Sequence, residues 1–243
     1  MKRVNIMGVP FTHIDQDGFV NLLDKRIQER KKTFVVTANP EIVMNAQESD
    51  EFMQLVHEAD YVTADGIGVV KGAQILGEPL PGRVTGFDTM MAMLERSARH
   101  GYRVYLLGAS IETIELAHSK IKEQFPNIQI VGYRDGFFDW DDPAILQEIK
   151  DANPDLVFVG LGAPRQEKWI SQHLDEFDHG VFMGIGGSFD AVAGTMPRAP
   201  EFFVKMNLEW FYRLLKQPSR WRRMLALPHF GLKVIGKRLK GKR

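Results

Sequence analysis

At 243 residues, with 44% hydrophobic side chains, the chain is long enough for one large domain with a true core, or one domain with an appendage. It contains no cysteine, which excludes disulfides, thiolate nucleophiles and cysteine-based zinc sites. Its zero net charge is a sum of opposites: residues 201–243 hold twelve Lys/Arg against two Asp/Glu, and residues 1–200 hold nineteen against twenty-nine.

Val4-Asn-Ile-Met-Gly-Val9 reads as a first strand, and Asp15 to Arg30 as a helix with Phe19, Leu22, Leu23 and Ile27 on one face. Thr33 to Ala38 is a strand ending in Asn39-Pro40, and proline suits the first position of the helix that follows. That helix runs from Glu41 to about Ala46 and resumes from Asp50 to Glu58. Tyr61 to Ala64 is the next strand and delivers Asp65 at its carboxyl end, where Gly66-Ile-Gly68 opens a helix to Leu76. Residues 77–86 hold three Gly and two Pro and make a loop that carries Arg83; Phe87 to Arg99 is helical. Strands at 102–107, 128–133, 155–160 and 180–185 then alternate with helices, each strand bracketed by a glycine-rich turn.

This alternation predicts an α/β fold: a Rossmann-like, mostly parallel sheet with helices on both faces, spanning residues 1–200. In such sheets ligands bind outside the carboxyl ends of the strands. Thr37, Asn39, Asp65, Ser110, Gln166 and Asp190 all fall at that edge. Residues 201–243 are expected to form a helical, basic appendage. Glu201 to Lys216 reads as one amphipathic helix, with Phe203, Met206, Trp210 and Leu214 in one stripe. Pro218 ends it, and Ser219 caps a helix with Arg220, Trp221, Arg222 and Arg223. Residues 233–243 add six Lys/Arg, a charge split that suits an anionic surface. No apolar run approaches the ~20 residues that cross a bilayer, and nothing at the N-terminus resembles a secretory leader. A cytoplasmic protein is expected.

The stretch Gly184 to Pro200 places Gly186, Gly187 and Ser188 where a strand hands over to a helix, a position that suits anionic oxygens. Asp190 then falls in the first helical turn, available to a sugar hydroxyl. A tight turn with an acidic first-turn residue explains the same residues. Asp65 is either the cap of the helix after it or, with Thr37 and Asn39 ending a neighbouring strand, a general base in a shared pocket. Arg83 is either a solvated loop residue or, if its loop folds over that pocket, a partner for leaving-group charge. Arg213, Arg220 and Arg223 are either a basic helical face or diphosphate ligands.

Gly160-Leu-Gly162 and Gly184-Ile-Gly186 each begin a dinucleotide fingerprint, but Arg165 and Phe189 replace its third glycine. No nicotinamide, flavin or other cofactor is expected. Asp139-Trp-Asp141-Asp142 resembles a metal-binding D-x-D, yet it precedes Pro143 and a helix, where Asp is the ordinary cap; Asp15-Gln-Asp17 is read the same way. No metal site is expected.

Together Thr37-Ala-Asn-Pro-Glu-Ile-Val43, Ala64-Asp-Gly-Ile-Gly-Val69, Arg83-Val-Thr-Gly-Phe-Asp88, Gly160 to Lys168 and the 184–200 stretch resemble glycosyltransferase family 26 over nearly the whole chain. Within it, the likeness is to the N-acetylmannosaminyltransferases of the wall teichoic acid linkage unit. The resemblance implies a UDP-N-acetylmannosamine donor and an undecaprenyl-diphosphate-linked N-acetylglucosamine acceptor at the inner face of the cell membrane. It also implies an inverting, metal-independent β-1,4 transfer, with Asp65 as base, Thr37 and Asn39 beside it, and Arg83 and Gln166 in matching motifs. The basic appendage would help close the site and meet an anionic membrane, with a homo-oligomer off the membrane compatible with this arrangement. The alternatives are a sister transferase using a uronic acid or glucose donor, a nucleotide-binding regulator, and a nucleic-acid-binding protein. The last is disfavoured because the body is acidic, so no nucleic acid partner is expected.

Overall fold

The structure is a computed structural model. It describes the chain except residues 141, 197–198, 201, 204–205, 207, 217, 219–220 and 241–243, and the side chains of residues 213, 222 and 223. The first predicted strand is in fact a hairpin: β1 (Arg3–Ile6) pairs antiparallel with β2 (Val9–Thr12). Met7 (φ 54°) and Gly8 (φ 92°) make the two-residue turn whose twist matches a hairpin. Val4, Ile6, Val9 and Phe11 are all buried, so both arms contribute to the core. The hairpin lies over β4, where Thr12 Oγ1 accepts the Val62 N–H at 3.2 Å.

Six further strands form one parallel sheet. They are β3 (Thr33–Ala38), β4 (Tyr61–Ala64), β5 (Arg103–Gly108), β6 (Gln129–Arg134), β7 (Leu156–Gly160) and β8 (Val181–Gly184), in the spatial order β4-β3-β8-β7-β5-β6. The predicted α/β class and parallel sheet are therefore present. Alternate strand residues feed opposite faces. Phe34, Val36, Tyr105, Leu107, Val157, Val159 and Phe182 enter one core; Val35, Val104, Leu106, Leu156, Phe158, Val181 and Met183 enter the other. Helices α1 (Gln16–Gln28), α5 (Gly86–His100), α6 (Ile111–Gln124) and α9 (Ser188–Ala193) cover the second face. The first is covered by α2 (Pro40–Glu48), α3 (Asp50–Glu58), α4 (Ile67–Leu76), α7 (Pro143–Asp151) and α8 (Arg165–His173). Asp15 and Asp142 cap α1 and α7, as the ordinary reading of both acidic clusters anticipates.

The C-terminal segment departs from the predicted single helix over 201–216. Among the described residues, Met206 lies in a turn and Leu208 outside any helix; a new helix, α10, runs Glu209–Lys216. The Leu208 N–H bonds the Phe203 carbonyl at 2.7 Å, while the Leu208 carbonyl accepts the N–H groups of Phe211 and Tyr212. Leu208 thus takes the capping position for α10. A short α11 (Trp221–Met224) and a long α12 (Ala226–Lys240) follow.

Helix α12 docks on the body rather than projecting from it. Phe230 and Val234 are buried in the first core, and Arg238 donates to the Leu76 carbonyl at 3.2 Å. Closeness is possible because Gly72 of α4 has no side chain: a Cβ there would stand 2.8 Å from Cε1 and Cζ of the Phe230 ring. Gly72→Ala should therefore cost about 1–3 kcal/mol by overpacking and lower the thermal midpoint. Gly82→Ala, which meets open space, serves as the control; equal midpoints for the two variants would show that α12 is not held there.

Candidate active site

The strand order reverses between β3 and β8: the chain leaves β3 outward to β4, and all later strands lie on the other side. A crevice opens at the carboxyl ends of strands at such a switch point. The structure places a cleft there, open to solvent and lined by Asn39, Asp65, Arg83, Gly187 and Ser188 among others.

Each of these is positioned by a local interaction. Thr37, buried near the end of β3, donates from Oγ1 to the Gly184 carbonyl at 2.8 Å and so ties β3 to β8 across the seam. Asn39 caps α2, its Oδ1 accepting the Ile42 N–H at 3.0 Å. The Asp65 N–H reaches the Ala38 carbonyl at 2.9 Å, which sets the end of β4 beside the end of β3. Asp65 is not the N-cap residue of α4; Gly66 holds that position. Instead, Asp65 Oδ2 accepts the Gly86 N–H at 3.2 Å. Gly86 is the joint of this corner: a Cβ there would stand 3.2 Å from Thr37 Oγ1 and 3.5 Å from Asp65 Oδ2.

The end of the 77–86 loop reaches the pocket, where Arg83 and Thr85 line it. Val84 continues the β4 edge with its N–H on the Ala64 carbonyl at 3.0 Å, and this carries Arg83 into the cleft wall. Arg83 pairs there with Glu209 of α10 at 2.5 Å. Trp210, Met224, Ala226 and Leu227 complete that side, so the C-terminal segment supplies one wall.

Gln166 and Gly186 support the cleft from beneath. Gln166 is buried; its Oε1 accepts the Gly186 N–H at 3.0 Å, and its Nε2 donates to Glu167 Oε1 at 2.7 Å. Ser188 Oγ donates to the Ile185 carbonyl at 2.7 Å, and Asp190 accepts from Thr195 Oγ1. The structure thus brings Thr37, Asn39, Asp65, Arg83, Gln166, Gly186, Gly187 and Ser188 to one place, with Asp190 behind them. The side chains of Arg213 and Arg223, and all of Arg220 and Asp141, lie outside the described residues. Among the described residues no group of three His, Asp or Glu is placed to hold a metal ion.

A family model for the glycosyl transferase WecG/TagA/CpsF family matches residues 4–243. The chain belongs to this family. The resemblance carried by the five motifs is thereby confirmed. A relative from Bacillus spizizenii is 37% identical over 97% of this chain and 91% of its own length. One from Staphylococcus aureus strain MW2 is 37% identical over 96% of this chain and 92% of its own. Both are named N-acetylglucosaminyldiphosphoundecaprenol N-acetyl-beta-D-mannosaminyltransferase.

Two residues of this WecG/TagA/CpsF-family site were not anticipated. Glu209 falls in the sequence on the polar side of the helix predicted over 201–216, and nothing in its neighbourhood announces Arg83. Glu167 reads as a surface charge between Gln166 and Lys168, although it is fully buried with one carboxyl oxygen unpartnered among the described residues. A signal existed: Glu167 and Ile170 lie three apart on α8, and Gln166, Trp169 and Ile170 mark the same inward face.

Burial pushes the Glu167 carboxyl up to about 7, and the hydrogen bond from Gln166 only partly opposes this. In the unfolded chain the group ionises near its ordinary 4.5. Its contribution to stability is therefore fully present below 4.5, is lost as pH rises toward about 7, and is flat above that, a change of about 3 kcal/mol. Glu167→Gln should gain on the wild type by up to that amount between about pH 5 and pH 8. Urea unfolding at the two pH values measures it; a stability gap that does not change with pH would contradict a neutral buried Glu167.

Proposed function

We propose that this chain transfers N-acetylmannosamine, with inversion, from UDP-N-acetylmannosamine to the C4 hydroxyl of undecaprenyl-diphosphate-linked N-acetylglucosamine. The membership of the glycosyl transferase family and the shared name of relatives covering almost the whole chain support the reaction class. The observation that carries the reading is the Asp65 carboxylate, held at the corner of the switch-point cleft by the Gly86 N–H.

In a single displacement the acceptor oxygen attacks the anomeric carbon as its proton passes to a base and the bond to the UDP oxygen breaks. Asp65 is the base in this reading. Thr37 is a positioning residue, since its hydroxyl already braces the Gly184 carbonyl. Asn39 uses its oxygen to cap α2, which leaves its Nδ2 as a donor for substrate. The departing diphosphate needs positive charge and preorganised N–H donors. Arg83 and the Gly187 N–H supply them from the body, since the N–H groups of Gly186 and Ser188 are already held by Gln166 and Ile185, and Arg213, Arg220 and Arg223 supply them from the C-terminal segment. Gln166 acts through Gly186, and Asp190 is assigned to a donor sugar hydroxyl.

The C-terminal segment, residues 201–243, is read as the membrane-facing part of the molecule and residues 1–200 as its catalytic body. None of the described helices is long and apolar enough to cross a membrane. While Phe230 and Val234 face the body, Leu232, Ile235 and Leu239 of α12 are exposed beside Lys233, Lys237, Arg238 and Lys240. An exposed apolar stripe flanked by basic side chains suits an anionic leaflet, each charge adding about 1 kcal/mol near the surface. The reading is of an enzyme held peripherally at the inner face, where a lipid-linked acceptor would meet it.

Asp65→Asn should retain UDP binding while lowering turnover by about 10²–10⁴-fold. Release of UDP from UDP-N-acetylmannosamine with a short-chain lipid-linked acceptor is the assay, and wild-type turnover in the variant would remove Asp65 from the mechanism. For the membrane, charge reversal is a cleaner probe than truncation, because losing α12 would uncover the apolar face around Gly72. Lys233→Glu combined with Lys237→Glu should reduce co-sedimentation with phosphatidylglycerol vesicles by about tenfold or more, while neutral vesicles show no difference. Binding that is equal on both lipids would contradict the membrane reading.

A further inference from the structure

The cleft is electrically unusual for a site that accepts a nucleoside diphosphate. Its described lining carries three carboxylates, Glu41, Asp65 and Glu209, and one cation, Arg83. That cation is engaged: Arg83 Nη1 meets Glu209 Oε2 at 2.5 Å, with only 20% of each side chain exposed. The two residues are separated by 126 positions, so the pair joins the 77–86 loop of the body to the first turn of α10. Trp210 follows immediately and also lines the cleft.

We propose that Glu209 is an internal stand-in for the donor's diphosphate: it holds Arg83 while the cleft is empty and gives it up when the diphosphate arrives. The inference rests on the donor reading above and adds a residue that sets donor affinity. The chemistry on both sides of the exchange is the same. A carboxylate and a phosphate each present paired oxygens to the planar guanidinium fork, and phosphate offers the greater charge. A half-buried pair is weakly screened, so Arg83 cannot serve both partners at full strength. The incoming anion must therefore displace Glu209 or bind without its best-placed cation.

A consequence follows for the C-terminal segment. Glu209 is the first residue of α10, so its release undoes one contact between that helix and the body at the moment the donor enters. By linkage, whatever draws the Glu209 carboxylate away from Arg83 strengthens donor binding at Arg83 to the same extent. Donor affinity at Arg83 and the pairing of Glu209 are then two readings of one equilibrium.

Titration calorimetry with UDP on the full chain tests the exchange. Glu209→Gln keeps the shape of the side chain and removes its charge, and should tighten UDP binding by about 3–10-fold. In an Arg83→Ala background the same change should have little effect, because the competition it relieves is gone. Three results would overturn the proposal: affinity unchanged by Glu209→Gln; affinity weakened, which would make Glu209 a support for Arg83; or an equal gain in the Arg83→Ala background, which would reduce the effect to general charge. A wild-type chain that binds no UDP would overturn the donor reading itself and the exchange with it, whereas ordinary UDP binding without the Glu209 effect overturns the exchange alone.

Discussion

The bond from Thr37 Oγ1 to the Gly184 carbonyl, 2.8 Å long and buried, lies at the seam on which the site is built. It joins the last turns of β3 and β8, the two strands between which the sheet changes direction. Parallel strands end in carbonyls that no ladder partner satisfies, and the loops that follow must either satisfy them or spread apart. Here the Thr37 hydroxyl satisfies one of them and keeps the two loops at a fixed separation. On one side of the seam stand Asn39 and Asp65, and on the other Gly186, Gly187 and Ser188. Gly86 fits over the seam because it has no side chain, and through its N–H it turns the Asp65 carboxylate into the cleft.

A second layer lies beneath the first. Gln166 reaches up to the Gly186 N–H and is itself held by Glu167, a carboxyl buried at considerable electrostatic cost. Cavities of this kind are seldom shaped by the residues that touch the ligand alone; the neighbours that fix those residues matter as much. The carboxamide of Gln166 has two faces, and the Glu167 acceptor decides that the oxygen, not the nitrogen, meets Gly186. That selection gives a physical reason for a polar pair inside an otherwise apolar helix face.

The sheet and most of the site were legible in the sequence because parallel strands buried on both faces are nearly continuous apolar runs. Thr33 to Ala38 is buried throughout, and its bounds follow directly from composition. The carboxyl-edge rule then gathers Thr37, Asn39, Asp65 and Gln166 without any knowledge of loop shape. What the sequence conceals is long-range or local turn geometry. The Met7-Gly8 reversal was missed since methionine rarely adopts positive φ, so the alternation across it looked like one strand. The break before α10 was missed since Leu208 carries no capping side chain; its backbone alone takes the capping position. Arg83 and Glu209 are 126 positions apart, and nothing local to either predicts their meeting.

The opposed charges of the two segments acquire a geometric meaning in the folded chain. An acidic body and a basic tail would be expected to attract each other, and a purely electrostatic dock would spend the tail's charge on the body. The structure instead seats α12 through Phe230 and Val234, apolar contacts that depend on the missing side chain of Gly72. Apolar seating leaves most of the basic residues of α12 at the outer surface, with Arg238 as the described exception that reaches the Leu76 carbonyl. Meanwhile Trp210, Met224 and Leu227 of the same segment face the cleft. One stretch of chain thus presents three surfaces, toward core, cleft and outside, and the first of these fixes the orientation of the other two. A helix held to the body by shape rather than by charge remains seated as ionic strength changes, and its outward charges stay available to whatever anionic surface the molecule meets.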